Sequence, residues 1–449
     1  MSKQRIQLSD HFTYPRLLRF VLPCIGTMLF TSIYGIVDGL CVSNFVGKTA
    51  FAAVNLIMPL PMLLGTIGFM LGTGGSAIVG ITLGEGDQKK ADRYFTLFLL
   101  AALVSVSVLA VLGIVFLRPI AVLLGAKGEL LDYAVRYGRI LMVSLPTFAL
   151  QNMFQSFFVT AEKPHLGFWF TVGAGCTNMV LDVLMVGIWG WGVEGAAIAT
   201  FISQLVGGVL PVFYFIDRSN SSRLHLCKTS FYSKVLRDAC INGSSELMTN
   251  LSMSLVNILY NYQLLRLAGE NGVAAYGVIM YAAFLFVAVF VGYAVGSAPI
   301  VSFHYGARNH AEVHNLYRKS LRLIAVVAVT LTLASMFIIP CVARIFVGYD
   351  AELLALTSRA FRLYALSFLI MGFNVYASSF FTALGDGVTS ALISFLRTLA
   401  FQVIAILLLP MLLGIDGIWL AVTAAELAAL AVSAAMLLTK DKVFHYRKV

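Results

Sequence analysis

The sequence is poor in charge. Only 12% of its 449 residues are Asp, Glu, Lys or Arg, about half of the roughly 25% typical of soluble domains. It has six cysteines and no CxxC pair, so we expect neither a disulfide framework nor a zinc site. The cysteines, most of them inside apolar runs, are Cys24, Cys41, Cys176, Cys227, Cys240 and Cys341. No HExxH, GxSxG or GxxxxGK[ST] motif occurs, and we predict a protein that is not an enzyme and carries no cofactor.

Apolar residues take the place of the missing charge along the whole chain. They make up 59% of the sequence, and the mean hydropathy is +0.89. At about 20–25 residues per transmembrane helix, this is enough for about twelve spans. The predicted spans are 16–46, 51–83, 94–117, 131–160, 166–190, 193–216, 239–267, 273–304, 320–347, 353–383, 388–411 and 415–438. We therefore predict an all-α membrane protein whose first apolar run is a retained helix and not a cleaved signal peptide.

The basic residues indicate how the chain is oriented. Of the 31 Lys and Arg residues, 21 fall on the side of the N-terminus, 9 on the opposite side, and Arg397 lies within a span. Because cytoplasmic loops are enriched in Lys and Arg, both termini are predicted to be cytoplasmic in a multi-pass protein of the inner (plasma) membrane. The net charge of +10 is spread over helix ends, so we expect no nucleic-acid partner. We expect the protein to lie in the lipid bilayer and to be a monomer.

The chain contains an internal repeat. A shift of 222 residues aligns Gly47–Met58 with Gly269–Met280, and it also pairs Gly84 with Gly306. Six spans per copy give both copies the same direction through the membrane, which predicts a pseudo-two-fold axis along the membrane normal. We predict two six-helix lobes, 1–216 and 239–449, joined by a cytoplasmic linker at 217–238. Transporters built from such repeats bind substrate between their halves.

Polar side chains inside the first lobe share one depth. At 1.5 Å per residue, Asp38, Asp182 and Thr200 each lie roughly 12–15 Å from the outer ends of their helices. Asn178 precedes Asp182 by four residues and shares its helix face. Ionisable groups within spans are costly and usually functional. The set suits a proton relay or a Na⁺ ion held by oxygen ligands, although each acid could instead cap a kink or bond a neighbour.

The second lobe has different ionisable residues, since the positions that match the first-lobe set carry no carboxylate. Glu246 and Arg397 are each roughly 12–15 Å above the inner ends of their helices and could form an ion pair closing the cytoplasmic side. That pair is either structural or involved in gating or substrate binding. Glu426 lies near mid-bilayer, facing either the cleft or another helix. Pro23 removes a backbone hydrogen bond from the first helix and should make it bendable.

Four segments together resemble the multidrug and toxic compound extrusion (MATE) family over residues 10–440. They are YGIVD at 34–38, NMVLD at 178–182, GAAIAT at 195–200 and YGARN at 305–309. The resemblance implies export of cationic amphipathic compounds in exchange for H⁺ or Na⁺. It also implies a cation site at Asp38, Asn178, Asp182 and Thr200, and a helix-1 bend at Pro23. One branch of the family has an acid in helix 10, where this chain offers only Asn374.

Two other functions remain open at this stage. A lipid-linked or narrow-substrate exporter or flippase of related architecture would need a wider, more cationic cleft to hold phosphate. An intramembrane enzyme would need a nucleophile beside the paired acids, and no motif supplies one. The prediction is a cation-coupled antiporter with small organic cations as substrates and H⁺ or Na⁺ as the coupling ion.

Overall fold

A computed structural model describes the backbone of residues 6–46, 48–348 and 350–447, and within these ranges it leaves out the side chains of 39–45, 48, 51, 340, 342, 345 and 346. Gly47 and the side chain of Cys41 thus lie outside the described residues. The described chain is helical and contains no β-strand. Its helices are α1 (Tyr14–Phe45), α2 (Lys48–Ile57), α3 (Pro59–Gly84), α4 (Gln88–Leu123), α5 (Gly128–Thr160), α6 (Pro164–Asp182), α7 (Gly192–Gly208), α8 (Leu210–Ile216), α9 (Ser233–Asn242), α10 (Ser244–Gly306), α11 (His310–Val347), α12 (Ala351–Ala365), α13 (Phe368–Ala383), α14 (Gly387–Phe395), α15 (Phe401–Leu413), α16 (Ile415–Thr439) and α17 (Asp441–Phe444). Two π-helical turns, Val183–Ile188 and Leu396–Ala400, extend α6 and join α14 to α15.

The helices account for twelve spans. Within the described ranges, nine helices are long and apolar enough to cross a membrane, and α12 with α13, bent by 46°, makes a tenth. The 63-residue α10 counts twice because it folds back at Gly269, whose φ is +61°. The ring of Tyr276 stacks on that of Tyr260 at 5.0 Å, a contact that a straight helix could not make. The span that completes the twelve is the 33-residue α5, which is less apolar than the others because it contains the buried side chains of Gln151 and Asn152.

The predicted all-α membrane architecture is confirmed, but several spans are interrupted. The second span is divided into α2 and α3 at Pro59, and the sixth into α7 and α8 next to Pro211. Proline has no backbone N–H, so a helix tends to break or begin at it. The first span runs unbroken through Pro23, and a bend there stays a prediction.

The two lobes meet across a symmetric contact between α3 and the second arm of α10. Gly80 faces Ser302, its partner in the repeat, and a Cβ on Gly80 would lie 2.8 Å from that of Ser302. A Cβ on Gly84 would lie 2.0 Å from the carbonyl oxygen of Phe303, and one on Gly306 would lie 2.1 Å from that of Ile81. Gly84 and Gly306 are repeat partners, as are Ile81 and Phe303. The pseudo-two-fold axis therefore passes through this contact.

Local structure repeats as well. The backbone N–H of Lys90 donates to Asp87 Oδ1 (3.0 Å) at the start of α4, and that of Glu312 donates to Asn309 Oδ1 (3.1 Å) at the start of α11. Asp87 and Asn309 are 222 residues apart, so the two lobes cap equivalent helices in the same way. The Lys90 hydrogen bond lowers the pKa of the exposed Asp87 carboxyl.

The segment Ile6–Thr13, which we call the N-terminal strap, ties the two lobes together on the side of the termini. The backbone N–H of Leu8 donates to Glu162 Oε1 of the first lobe (2.9 Å), and that of Phe12 donates to Glu312 Oε1 of the second lobe (2.9 Å). Both Leu8 and Phe12 are fully buried. Arg223, from the segment between the lobes, pairs with Glu162 at 2.6 Å and stacks over the ring of Phe303. The strap therefore stabilises the arrangement in which the two lobes are in contact on the side of the termini.

Glu312→Ala is expected to lower thermal stability, because Glu312 also accepts hydrogen bonds from His11 Nδ1 (2.6 Å) and Asn315 Nδ2 (2.8 Å). Removing the carboxylate leaves several part-buried donors unpaired, each costing about 1–3 kcal/mol. The melting temperature of detergent-purified protein measures the effect. Glu85→Ala, an exposed acid on the same side, is the control. Equal melting temperatures for the two variants would show that the strap does not hold the lobes.

Candidate functional site

The structure places two acidic side chains of the first lobe against each other. The carboxyl groups of Asp38 on α1 and Asp182 at the end of α6 lie side by side, close enough to share a proton in a hydrogen bond. We call them the acid pair. Asp182 is fully buried, and neither of its oxygens has a hydrogen-bond donor among the described residues. Two carboxylates this close in a low-dielectric site cannot both remain charged without a proton or cation between them.

Helix register explains why these two residues meet. A Cβ on Gly175 of α6 would lie 2.5 Å from the ring of Phe30 and 3.2 Å from that of Tyr34 on α1, while Gly26 of α1 faces Phe168. The two helices run parallel with an offset of about 142 residues, which places Asp38 opposite residues 180–182. The close approach is possible because glycine has no side chain at these crossings.

The antiparallel neighbour α7 brings Thr200 to nearly the same level. A Cβ on Gly195 would lie 3.2 Å from Met185, and one on Gly173 would lie 3.9 Å from Val206. Interpolation between these two contacts between α6 and α7 places Thr200 opposite residues 179–180, which is roughly 4 Å from Asp182 along the helix axis. Asn178 lies one turn before Asp182, is 2% exposed, and has no acceptor for its Nδ2 within the described chain.

Two features of this site are absent from the sequence prediction. Tyr137 on α5 is 1% exposed and lies within electrostatic range of both members of the acid pair. The π-helical turn Val183–Ile188 starts immediately after Asp182. A hydropathy profile does not single out a buried tyrosine. π-Helical turns are frequent at functional sites, but no sequence motif predicts them. Among the described residues no group of three or more His, Cys, Asp or Glu side chains lies together, so a bound Na⁺ would depend on neutral oxygens as well.

A cavity lies elsewhere, mostly in the second lobe where it faces Thr73, Ser76 and Ser156 of the first. It has a volume of about 370 Å³. Arg397, Glu246 and Glu426 line it, together with hydroxyl and apolar side chains. We call it the second-lobe cavity; the acid pair is not part of its lining.

Arg397 pairs with Glu426 and not, as the sequence suggested, with Glu246. Arg397 Nη1 lies 3.5 Å from Glu426 Oε1, whereas Glu246 is near enough only to interact with the guanidinium charge. Arg397 lies in the π-helical turn Leu396–Ala400, and Glu426 lies on α16. Asn374 Nδ2 donates to Glu426 Oε2 (2.7 Å), and Ser433 Oγ donates to Asn374 Oδ1 (2.9 Å), so Glu426 is held in place.

The family assignment follows from a match that occurs twice. The MatE family model matches residues 23–184 and again residues 247–408, together more than half of the chain. The chain belongs to the MatE family. The two MatE matches have the same length and an offset of 224 residues, in agreement with the internal repeat.

MatE relatives and solved structures cover nearly the whole chain. The multidrug export protein MepA of Staphylococcus saprophyticus is 21% identical over 433 residues, spanning 95% of this chain and 94% of its own length. MepA of Staphylococcus aureus strain MSSA476 is 21% identical over 432 residues, spanning 96% and 95%. A crystal structure of MATE in complex with MaL6 superposes with a TM-score of 0.92 at 22% identity, covering 99% of this chain and 100% of that one. An outward-facing multidrug resistance MATE family transporter of the MOP superfamily also gives 0.92 at 22% identity, covering 99% of each chain.

These comparisons confirm the family resemblance and the two-lobe fold. The chain is a multi-pass membrane transporter of the MatE family. At 22% identity the solved structures establish the fold alone, so the acid pair and the second-lobe cavity have to be interpreted from the chemistry of this chain.

Proposed function

We propose that the protein is an antiporter that exports cationic amphipathic compounds in exchange for H⁺ or Na⁺. The observation that carries the proposal is the acid pair, in which a fully buried Asp182 adjoins Asp38 and no donor among the described residues binds its oxygens. Full-length relatives named multidrug export protein MepA support the substrate class. Asp38, Asn178, Asp182 and Thr200 are the proposed coupling residues, with no cofactor besides the ion.

The proposed cycle uses the acid pair as a switch. In the outward-facing state the pair takes up H⁺ or Na⁺, which removes its excess negative charge and allows α1 to repack, with Pro23 as the bend. This rearrangement expels the bound compound, and release of the ion inward restores the charge that favours the next organic cation. Exchange of one ion for one monovalent cation moves no net charge, so a ten-fold ion gradient, worth about 1.4 kcal/mol, supports about a ten-fold gradient of the exported compound.

The proposed setting is the inner (plasma) membrane, with both termini and the 217–238 linker in the cytoplasm and a monomer as the working unit. The lobes are proposed to be 1–216 and 239–449. A lipid-linked flippase is less well supported, because the second-lobe cavity has two carboxylates for its one guanidinium. Phosphate groups would need the opposite balance.

Ethidium accumulation in everted vesicles tests the proposal. The lumen of an everted vesicle corresponds to the outside of the cell. It is made acidic in one arm of the experiment and rich in Na⁺ in the other. We expect the wild type to accumulate ethidium under one of these gradients, which identifies the ion. Asp38→Asn should lose about ten-fold or more of the initial rate, because an amide cannot take up the ion as a carboxylate does.

Asp132→Asn is the matched control, since Asp132 is an exposed acid at the start of α5. It should transport at the wild-type rate. Normal export by both Asp38→Asn and Asp182→Asn would show that the acid pair does not couple the ion. Absence of transport by folded wild-type protein under both gradients would favour a narrow-substrate exporter or flippase.

A further inference from the structure

The segment between the two lobes crosses α4 where that helix changes from polar to apolar. Residues 88–93 of α4 have the sequence QKKADR, and from Tyr94 onwards the helix is predominantly apolar for a whole span. Thr229 Oγ1 donates to the carbonyl oxygen of Arg93 (2.9 Å), and the ring of Tyr232 packs edge-on against that of Tyr94 (5.5 Å between centroids). In a membrane such a boundary lies at the level of the lipid headgroups.

The exposed side of α4 shows that this boundary faces lipid. Its exposed apolar side chains recur every three or four residues, as in Leu100, Val104, Val108, Val111 and Val115. Residues at this spacing lie along one side of a helix, and within a span an exposed apolar stripe faces the acyl chains. Arg93 is also exposed and precedes Leu100 by seven residues, so it continues the same stripe down to the headgroup level.

Three basic side chains around this boundary lack an acidic partner. Arg93, Lys228 and Lys234 are exposed, and within the described chain none of them lies at ion-pair distance from a carboxylate. Their neighbours Lys90 and Arg237 do have acidic partners. The positive charge of the three unpaired residues is therefore available to an anion from outside the protein.

Phe231 adds an apolar ring to these cations. It is 75% exposed and stands between Lys228 and Lys234 in the sequence. At a membrane surface an aromatic ring can enter the region between headgroups and acyl chains, while flanking lysines keep their charge among the headgroups. We call Arg93, Lys228, Phe231 and Lys234 the linker patch.

We propose that the linker patch is a binding site for an anionic phospholipid of the leaflet on the side of the termini. Phe231 inserts between the upper parts of the acyl chains, and the three basic side chains bind the headgroup. A zwitterionic lipid also has a phosphate, but its headgroup ammonium offsets that charge, so the patch prefers a lipid with net negative charge. This interaction is separate from the export cycle and involves neither the acid pair nor the second-lobe cavity.

Phe231→Trp places a fluorescent reporter in the linker patch and keeps an aromatic ring there. The variant is reconstituted into mixtures of phosphatidylglycerol and phosphatidylcholine in which one lipid or the other has brominated acyl chains, which quench a tryptophan that they contact. The wild type contains four tryptophans outside the patch, and its signal is subtracted as background. The dependence of quenching on lipid composition gives the relative affinity of the two lipids, and we expect about a ten-fold preference for phosphatidylglycerol.

Lys228→Gln combined with Lys234→Gln, added to Phe231→Trp, should lower this preference by about five-fold or more. Each basic residue near an anionic surface contributes up to about five-fold. Both lysines are exposed, so the double change should leave the fold intact. Raising KCl from about 0.1 M to about 1 M should also lower the preference, because the screening length falls from about 10 Å to about 3 Å. Lys127→Gln, which changes an exposed lysine beyond the other end of α4, is the matched control and should leave the preference unchanged.

Three results would overturn the inference. Absence of quenching of the Phe231→Trp signal by either brominated lipid would show that the linker patch does not reach the membrane. Equal affinity for the two lipids, or an unchanged preference in the double lysine variant, would show that its charges select no lipid. Loss of the preference on addition of glycerol 3-phosphate at constant ionic strength would assign the patch to a free phosphate compound. Ethidium export enters none of these measurements, so failure of the proposed function would be a separate result.

Discussion

Asp182→Asn is expected to stabilise the protein and to abolish gradient-driven transport at the same time. Asp182 is 0% exposed and lies against Asp38, and neither of its oxygens accepts a hydrogen bond from the residues that the structure describes. An uncharged amide of the same size removes the repulsion and can donate to Asp38. An amide stays neutral without a shared proton or a bound cation, so the change should stabilise the fold by about 1–3 kcal/mol.

The two readouts distinguish a coupling role from a structural one. The melting temperature of the detergent-purified variant should rise, while ethidium accumulation under either gradient should fall by about ten-fold or more. A variant that is less stable than the wild type would indicate that the acid pair holds the lobe together. Asp132→Asn should change neither quantity.

Gly306→Ala is expected to prevent the ends of the lobes on the side of the termini from closing. The added Cβ would lie 2.1 Å from the carbonyl oxygen of Ile81, where an ordinary contact needs more than 3 Å, and backbone cannot move aside as a side chain can. Overpacking of this kind costs about 1–3 kcal/mol. Its repeat partner Gly84 meets Phe303 O at 2.0 Å, so Gly84→Ala should have an effect of similar size.

Gly277→Ala is the matched control for both glycines. It lies in the same arm of α10, and a Cβ there would meet no atom within 4 Å. Because alanine favours helix over glycine by up to about 1 kcal/mol, this change should be neutral or stabilising. The melting temperature and ethidium transport should fall for Gly84→Ala and Gly306→Ala only. Wild-type behaviour of either variant would contradict the symmetric closure.

The sequence predicted the spans well because a membrane imposes one strong rule. A segment in lipid must satisfy its own backbone and must be apolar over about 20 residues, so span positions are a local property. Interruptions were harder to predict. The helices break at Pro59 and near Pro211, but proline also occurs within an unbroken helix, as Pro23 does in α1. Proline alone therefore does not predict where a span is interrupted.

The partners of the membrane-embedded charges depended on the fold. Depth along each helix, which is additive in residues, correctly brought Asp38 and Asp182 to one level. For Arg397 the same reasoning favoured Glu246, but the guanidinium lies 3.5 Å from Glu426 on α16. The depth of a residue along its helix does not specify the direction in which its side chain points around the helix axis.

By itself, therefore, the sequence determined the twelve-span all-α architecture, the duplicated lobes and the level of the acid pair, because each follows from hydropathy, repeat spacing and rise per residue. The tertiary structure alone decided which acid faces Arg397, that Tyr137 lies within electrostatic range of the acid pair, and that Gly84 and Gly306 pack against the opposite lobe at the pseudo-two-fold axis. These are contacts between helices distant in the chain, and they depend on crossing angle and rotation, which only the packing of all the helices together sets.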